Sequence, residues 1–552
     1  MSEFKNDLGL NIFKNKYAIS PYETWRERAH AIVDDVCGTR QGTTEPMMSK
    51  DERDQLAEYI REMKFMPGGR YIYYAGRPAK FYNNCYLLKL EDDTREAWSE
   101  LTYRAMSCLM TGGGIGIDVS IAREQGRPLS RTGGVSSGPI PLLYTLNEVG
   151  RNVMQGGSRR SALYGSMNWQ HADADQFLKV KNWRNMPVGT TGLSLSDIKE
   201  QDFNSAAPLD MMNISLNYDD DWLRAAQVGE LSDVFLENCR QALETGEPGF
   251  SFNFGPHAEE TLRNACTEIT SADDSDVCNL GSVNIGNIET LEEFKDVVRL
   301  ASKFLVCGTV RAELPYDKVY EVRRRNRRLG LGLMGMHEWL LKRDAKYGMT
   351  SELKTWLENY ERESEAAANE HCDRFYLSRP KGYRAIAPTG TISLLACTTS
   401  GIEPIYATAY KRRYLTEGTR WKYQFTVDST AQYLIEQGIS PDKIESSVDL
   451  AADYERRIKF QYEVQKHVDH AISSTINLPA WGTDLNNEDK VDEFASVVAR
   501  YAHGLRGLTC YPDGSRGGQP ITSVPYDEAI AKKNIVFEEN SEEQCMSGVC
   551  GI

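Results

Sequence analysis

Short apolar segments typical of strands alternate with helical segments through the middle of this chain, and no other feature constrains its fold as strongly. Strand candidates lie at 83–88, 211–216 and 277–284, and helical patterns cover about 94–110 and 231–244. Strands that alternate with helices are typical of α/β domains, in which helices cover the faces of a sheet. The sequence therefore predicts an α/β fold for most of its length.

The two ends of the chain depart from this pattern. From about 21 to 65 the apolar residues recur at three- and four-residue intervals, as they do in amphipathic helices. From about 517 the sequence is polar and irregular. We therefore expect an N-terminal helical region over 1–75, an α/β domain over 76–516 and a flexible tail over 517–552.

Composition disfavours several classes of function. No apolar run is long enough to span a membrane and the start has no signal-peptide pattern, so we expect a soluble protein that is not exported. The formal net charge of −15 disfavours general binding to nucleic acids. The 12 cysteines, without an export signal, indicate reduced thiols rather than a disulfide framework. Their spacing lacks the paired C-x-x-C pattern of a zinc site, so no metal site is predicted.

The stretch Asn264-Ala265-Cys266-Thr267-Glu268 places an amide, a thiol and a carboxylate at alternate positions. In an extended or loop segment, residues i and i+2 project to the same side. Asn264, Cys266 and Glu268 would then face one bound molecule as a hydrogen-bonding amide, a sulfur and a proton acceptor. For this stretch alone, a surface turn with a chance cysteine is the alternative.

Four further cysteines lie where thiol–disulfide chemistry is plausible. Cys85 and Cys278 each lie at the head of a predicted strand, where a packed core thiol is the plainer interpretation. They would form a disulfide only if their strands bring the two Cα atoms within about 7 Å. Cys545 and Cys550 lie near the end of the chain, where a mobile tail would carry a thiol pair between a buried site and solvent.

Three glycine-containing passages suggest packing or phosphate binding. The motif from Gly330 to Gly335 follows basic residues instead of a strand, so we predict tight strand-to-helix packing rather than a dinucleotide site. The loop around Arg159 suits closure over phosphates or bases, and equally a solvated loop. The hydroxyls and N–H groups of 389–393, at a predicted helix start, suit a phosphate or a simple helix cap.

Taken together and in this order, the motifs resemble the catalytic subunit of ribonucleotide reductase over nearly the whole chain. NACTE resembles the family's finger loop, and NNCYLL and VCNLGSVN resemble the strands that carry its redox pair. APTGTIS resembles its phosphate-binding turn, and CMSGVCGI resembles its C-terminal thiol shuttle. The resemblance implies a ten-stranded α/β barrel around the finger loop and thiyl-radical reduction of ribonucleotides. A regulatory nucleotide-binding protein on the same barrel is the alternative, which the retained finger-loop cysteine and tail pair disfavour.

The resemblance also implies a role for each site residue. Cys266 would carry the thiyl radical that removes the 3′ hydrogen, Glu268 would take the 3′-hydroxyl proton, and Asn264 would hydrogen-bond the sugar hydroxyls. Cys85 and Cys278 would reduce the substrate and end as a disulfide.

Further binding and redox sites follow from the same resemblance. Cys545 and Cys550 would reduce that disulfide and pass the oxidation to thioredoxin or glutaredoxin. The other expected sites are substrate phosphate at Thr389, Gly390, Thr391 and Ser393, the substrate near Asn213 and Ser215, and a deoxynucleotide effector near Asp92 and Arg159.

The radical source divides the family into classes. Class I enzymes receive the radical from a metal-containing partner subunit through two adjacent tyrosines, whereas the matching strand here, LTCYPDGSR, has the single Tyr511. This context resembles class II, so adenosylcobalamin is the expected cofactor, and a class I large subunit is the alternative. The chain does not end in the glycyl-radical motif of class III. The resemblance further implies a homodimer without an ATP cone, in the cytoplasm, or in the host cytoplasm if the source is viral.

Overall fold

The computed structural model describes residues 3–39, 45–130, 133–153, 161–202, 205–416, 420–515, 521–533 and 536–538. For Cys278 and for residues 413–416, 420–421 and 536–538 it describes the backbone alone. Within these ranges, none of the helices is both long enough and apolar enough to cross a membrane.

Strands and α-helices follow one another along the described ranges. The strands are β1 Phe65–Pro67, β2 Cys85–Lys89, β3 Gly114–Asp118, β4 Leu163–Asn168, β5 Met212–Tyr218, β6 Gly249–Phe252, β7 Leu262–Arg263, β8 Thr270–Ser271, β9 Asp276–Asn284, β10 Leu329–Met334, β11 Ala409–Thr416, β12 Arg420–Val427, β13 Thr475–Leu478, β14 Gly507–Pro512, β15 Ile521–Ser523 and β16 Val536–Glu538. The α-helices are α1 Asp7–Ile12, α2 Trp25–Cys37, α3 Lys50–Arg61, α4 Gly69–Tyr74, α5 Arg95–Met110, α6 Ile140–Asn152, α7 Ala174–Lys179, α8 Leu195–Gln201, α9 Asp220–Gln227, α10 Asp233–Thr245, α11 Leu291–Arg311, α12 Asp317–Asn326, α13 Met336–Lys342, α14 Ser351–Arg374, α15 Gly390–Ala396, α16 Ser429–Glu436, α17 Tyr454–Gln465, α18 Val491–Ala502 and α19 Tyr526–Ala531. A π-helix, Phe13–Tyr17, continues α1.

A ten-stranded mixed sheet forms the centre of the fold. Its strands follow the order β1-β9-β2-β3-β4-β5-β6-β14-β13, and β10 also pairs with β9. Neighbours from β2 to β6 are parallel, whereas β9 runs antiparallel to β2. Single bridges from Leu331 to Arg384 and from Ile386 to Ile472 connect β10 with the chain just before β13, so the two ends of the sheet approach each other. The ten-stranded α/β architecture that the sequence resemblance implies is confirmed.

Helices pack against the sheet through two large groups of buried side chains. One group, which includes Trp25 and Phe304, joins β9 and β10 to α2, α3, α11 and α14. The other, which includes Trp222 and Phe250, joins β2 to β6 and β14 to α5, α6, α10 and α18. The alternating apolar segments of the sequence therefore meet as strand faces and helix stripes, as an α/β fold requires.

The N-terminal region is helical, as expected, but it is joined to the sheet. Helices α2 and α3 each begin with a capping box, Thr24 with Glu27 and Ser49 with Glu52. Strand β1 lies within the range 1–75 and pairs with β9 of the central sheet. Backbone hydrogen bonds between β1 and β9 therefore connect part of this region to the central sheet.

Part of the region expected to be a flexible tail has secondary structure. Strands β15 and β16 extend the hairpin β11–β12 into a second sheet of order β15-β11-β12-β16, and α19 packs on it through the buried Ala529. Residues 521–523, 526–531 and 536–538 of the expected tail therefore form regular elements, since very short strands become stable when an existing hairpin supplies their partners. Cys545 and Cys550 lie outside the described residues.

Candidate active site

A tight turn carries the NACTE stretch. Strands β7 and β8 pair antiparallel and bracket residues 264–269. The Ile269 N–H donates to Asn264 Oδ1 at 2.9 Å, and Thr267 adopts a left-handed φ of 69°. Cys266 and Glu268 line the cavity described below, whereas Asn264 is fully buried and closes the turn with its side-chain oxygen. The predicted alignment of alternate residues therefore holds for two of the three.

Close backbone packing holds this turn against the sheet. A Cβ atom added at Gly116 in β3 would lie 1.7 Å from the carbonyl oxygen of Arg263, so a larger residue does not fit there. The buried guanidinium of Arg263 donates to Asn253 Oδ1 at 2.8 Å and to the Arg506 carbonyl at 3.0 Å. The glycine-rich passage at 111–118 therefore packs closely against the turn.

A cavity of about 530 Å³ opens beside the turn, a size typical of small-ligand sites. Cys85, Cys266 and Glu268 line it together, and the other charged residues of its described lining are Lys16 and Arg70. Cys266 is half buried, whereas Cys85 and Glu268 are buried. Much of the remaining wall is glycine and tyrosine, namely Tyr17, Gly68, Gly69, Tyr73, Tyr74, Gly112, Gly114, Gly281 and Gly390. Cys266 is thus more accessible from the open side than Cys85.

The strand register brings two predicted redox cysteines together. Cys85 begins β2 and is directly opposite Cys278 of β9 in the antiparallel ladder. Directly opposed residues of such a ladder have Cα atoms about 4.5–5.5 Å apart, which is within the range that a disulfide bridges. The sequence pattern predicted the two strands, and the disulfide implied by the family resemblance requires this proximity of the two residues.

Burial controls the proton affinity of Glu268. The side chain is 1% exposed and Oε2 accepts no hydrogen bond from the described part of the chain. Burial raises the pKa of Glu268 to about 7, and the nearby Asn264 amide opposes this effect in part. A carboxyl with such a pKa exchanges protons readily near neutral pH, which suits a general base.

The predicted phosphate turn lies at the same cavity. Thr389, Gly390 and Thr391 line it, whereas Ser393 is buried and its hydroxyl pairs with the Ser400 hydroxyl at 2.8 Å. Thr389 has a φ of 53°, and its Oγ1 accepts the Gly401 N–H at 3.0 Å. The turn is therefore fixed by its own hydrogen bonds, and three of the four predicted residues face the open space.

Comparison with known families agrees with this geometry. The family model of the ribonucleotide reductase barrel domain matches residues 83–358 and 379–511, well over half of the chain. The chain belongs to the ribonucleotide reductase family. The matched segments contain both redox strands, the NACTE turn and the phosphate turn.

Individual relatives of this reductase cover most of its length. The vitamin B12-dependent ribonucleoside-diphosphate reductase of Mycobacterium tuberculosis (strain CDC 1551 / Oshkosh) is 26% identical, over 89% of this chain and 76% of its own. The enzyme of that name from Thermoplasma acidophilum is 24% identical, over 88% of this chain and 68% of its own. A solved structure, the class Id ribonucleotide reductase alpha subunit of Actinobacillus ureae, matches with a TM-score of 0.69 at 17% identity, covering 92% of this chain and 97% of that one. The likeness to this solved structure concerns the fold alone.

Several predicted residues of the reductase lie away from the cavity lining. Asn213 is exposed and Ser215 is buried, both on β5. Asp92 is exposed in the connection between β2 and α5. Arg159 lies outside the described residues.

Asn84 and Lys16 are among the lining residues that were not singled out from the sequence. Asn84 precedes Cys85, and its buried Oδ1 accepts no hydrogen bond within the described residues. Lys16 comes from the π-helix, and its ammonium donates to Thr391 Oγ1 at 3.2 Å. The position of Asn84 next to a redox cysteine was a usable signal, whereas no local pattern distinguishes Lys16 from the other N-terminal lysines.

Proposed function

We propose that this chain reduces ribonucleotides to 2′-deoxyribonucleotides by thiyl-radical chemistry, as a class II enzyme with adenosylcobalamin as its radical source. One arrangement supports the chemistry above all: Cys85, the Cys266 thiol and the Glu268 carboxyl line a single cavity, and Cys85 is directly opposite Cys278 in the strand ladder. The relatives named as vitamin B12-dependent ribonucleoside-diphosphate reductases support the cofactor and a diphosphate substrate.

Three residues of the turn would act on the ribose. Cys266, as a thiyl radical, would take the 3′ hydrogen of the sugar. Glu268 would accept the 3′-hydroxyl proton, for which its raised pKa is suited. Asn264 is buried behind the cavity lining, and its Nδ2, which has no hydrogen-bond partner among the described residues, is the donor proposed for a sugar hydroxyl.

The thiol pair would supply the two reducing electrons. As the 2′-hydroxyl leaves as water, the Cys85 and Cys278 thiols would give up two hydrogens and form a disulfide, and the 3′ hydrogen would return from Cys266 to the sugar. Cys545 and Cys550 would then reduce that disulfide by thiol exchange and pass the oxidation to thioredoxin or glutaredoxin. Because this cycle needs thiols kept reduced, we place the enzyme in the cytoplasm, or the host cytoplasm if it is viral.

Part of the cavity wall suits adenosylcobalamin, whose corrin ring has broad apolar faces and a rim of amide groups. When bound, this cofactor supplies a carbon-centred radical by breakage of its cobalt–carbon bond. The half-buried rings of Tyr73 and Tyr74 line the cavity that also exposes Cys266, so they offer an apolar wall beside the accepting thiol. The residue before Tyr511 is Cys510, which is buried, so β14 carries no tyrosine dyad for radical transfer from a second subunit.

An exposed apolar surface supports the proposed homodimer. Tyr103, Met106 and Met110 on α5 and Tyr144 on α6 are large apolar side chains open to solvent, and the two helices pack side by side. Apolar patches of this kind are typical of protein interfaces, and symmetric pairing covers both copies at once. Asp92, just before α5, would place the deoxynucleotide effector near that interface.

The decisive test is turnover of the purified chain alone. Ribonucleoside diphosphates and triphosphates are supplied separately with deoxynucleotide effectors, dithiothreitol and adenosylcobalamin. We expect cobalamin-dependent deoxynucleotide formation that is lost in Cys266→Ala. The matched control is Cys239→Ala, which removes a buried thiol of α10 that does not line the cavity and should retain activity.

Two results would change the proposal. Activity that appears only after addition of a metal-loaded radical subunit would make this a class I large subunit. Nucleotide binding without turnover under either condition would favour the regulatory alternative.

A further inference from the structure

The N-terminal π-helix lies over the phosphate turn. Helix α1 packs against α15, since a Cβ atom added at Gly9 would lie 2.6 Å from the Leu395 carbonyl oxygen. Asn6 Nδ2 donates to Cys397 Sγ at 3.1 Å, which is a second contact between the same two segments. Phe13 and Tyr17, at the two ends of the π-helix, are buried. The backbone that carries Lys16 is therefore held in place next to the predicted phosphate turn.

Two cationic side chains, Arg70 and Lys16, line the cavity within the described residues, and they differ in their hydrogen bonds. Arg70 donates to three backbone carbonyls, those of Phe81, Thr111 and Gly112, and its guanidinium lies over the Tyr74 ring. These bonds fix Arg70 as part of the wall. Lys16 is exposed, and its ammonium lies 3.2 Å from Thr391 Oγ1, where a long flexible stem lets it follow a ligand.

The lining of the cavity differs in exposure. Glu268, in the NACTE turn, is buried, whereas Lys16, beside Thr391, is exposed. If the ribose is bound by Cys266 and Glu268, a chain of phosphates passing the 389–391 turn reaches the Lys16 ammonium.

We propose that Lys16 binds the terminal phosphate of the substrate and makes the site select nucleoside diphosphates over monophosphates. This assignment rests on the proposed function, because it takes the cavity to be the ribonucleotide site. Lys16 is then a specificity-determining residue supplied by the N-terminal segment. An ammonium–phosphate hydrogen bond is charge-assisted and contributes more than a neutral one.

Protection of Cys266 from alkylation measures occupancy of this cavity without cofactor or turnover. The cofactor-free full chain is treated with N-ethylmaleimide at increasing CDP or CMP, and modification of Cys266 is followed by peptide mass spectrometry. A nucleotide bound at a distant effector site does not cover Cys266, so the signal is specific to the cavity. CDP is expected to protect at lower concentration than CMP.

Substitution of Lys16 tests its role. In Lys16→Ala, half-protection by CDP should require about tenfold more nucleotide, whereas that by CMP should be unchanged, as expected for loss of one charge-assisted bond. Lys16→Arg should restore most of the CDP effect. Lys14→Ala is the matched control, because Lys14 lies on the same π-helix but donates to the Pro21 and Glu23 carbonyls.

The outcomes separate the two proposals. An unchanged CDP midpoint in Lys16→Ala, or equal shifts for CDP and CMP, would overturn the role of Lys16 while leaving the ribonucleotide site intact. Failure of both nucleotides to protect Cys266 in the unmodified chain would instead overturn the assignment of the cavity.

Discussion

Replacing Glu268 with glutamine should remove activity and at the same time stabilise the fold. The carboxyl is fully buried, and its pKa of about 7 in the folded protein compares with 4.5 for an ordinary glutamate. Between these values the folded state holds a proton that the unfolded state has lost, so the stability of the unmodified protein falls as the pH rises from about 4.5 to about 7. Glutamine keeps the shape of the neutral carboxyl and carries no charge at any of these pH values.

The magnitude follows from the difference between the two pKa values. One pKa unit corresponds to about 1.4 kcal/mol, so ionised Glu268 costs the folded state about 3 kcal/mol at pH 8. For 552 residues the unfolding entropy is about 1.2 kcal/mol per kelvin, which converts this difference into a rise in Tm of about 3 °C. The rise should vanish towards pH 4, where both proteins are neutral at this position.

Thermal unfolding of Glu268→Gln and of the unmodified protein from pH 4 to pH 8 measures this directly. Glu52→Gln is the control, for which the opposite change in Tm at pH 8 is expected. Burial acts to raise the pKa of Glu52, but the Lys303 ammonium and the capping contacts with Ser49 outweigh it and lower that pKa to about 2. The stability that ionised Glu52 contributes to the folded state is present above about pH 4.5 and lost as the pH falls, so Glu52→Gln should lower Tm at pH 8. A Tm of Glu268→Gln that lies below that of the unmodified protein, or a Tm difference that does not change with pH, would refute the conclusion that burial raises the pKa of Glu268.

Three further predictions concern activity and packing. kcat/KM should rise with pH and level off above about pH 7, because Glu268 must be ionised to accept a proton. A pH–rate profile measures this dependence. A flat profile between pH 5.5 and 8 would exclude Glu268 as the base. Cys85→Ser should retain Cys266 protection by nucleotide but lose deoxynucleotide formation even with excess dithiothreitol, and product assays showing normal turnover would remove Cys85 from the mechanism. Gly116→Ala should lower the free energy of unfolding by about 2 kcal/mol, because the new Cβ would overlap the Arg263 carbonyl. Gly507→Ala is the control, because a Cβ there would lie 3.3 Å from the Phe250 carbonyl oxygen, and it should change that free energy far less. Denaturant melts of the two variants measure the difference.

Much of the fold was predictable because secondary structure leaves a local pattern. Apolar runs predicted the strands at Cys85, Asn213 and Cys278, and the glycine motif from Gly330 to Gly335 predicted close backbone packing. The thiol, carboxylate and hydroxyl residues of the site were recognisable from their motifs, since each chemistry requires a particular residue type. Neither kind of signal depends on distant parts of the chain.

The sequence by itself determined the alternation of strands and helices and the inventory of reactive groups. The tertiary structure alone decided that Cys85 opposes Cys278, that β1 joins the central sheet, that β15 and β16 extend a second one, and that Lys16 lies beside Thr391. It also decided the pKa of Glu268, through burial. The physical reason is that periodicity is set by neighbouring residues, whereas strand register, burial and approach of distant side chains depend on how the whole chain packs.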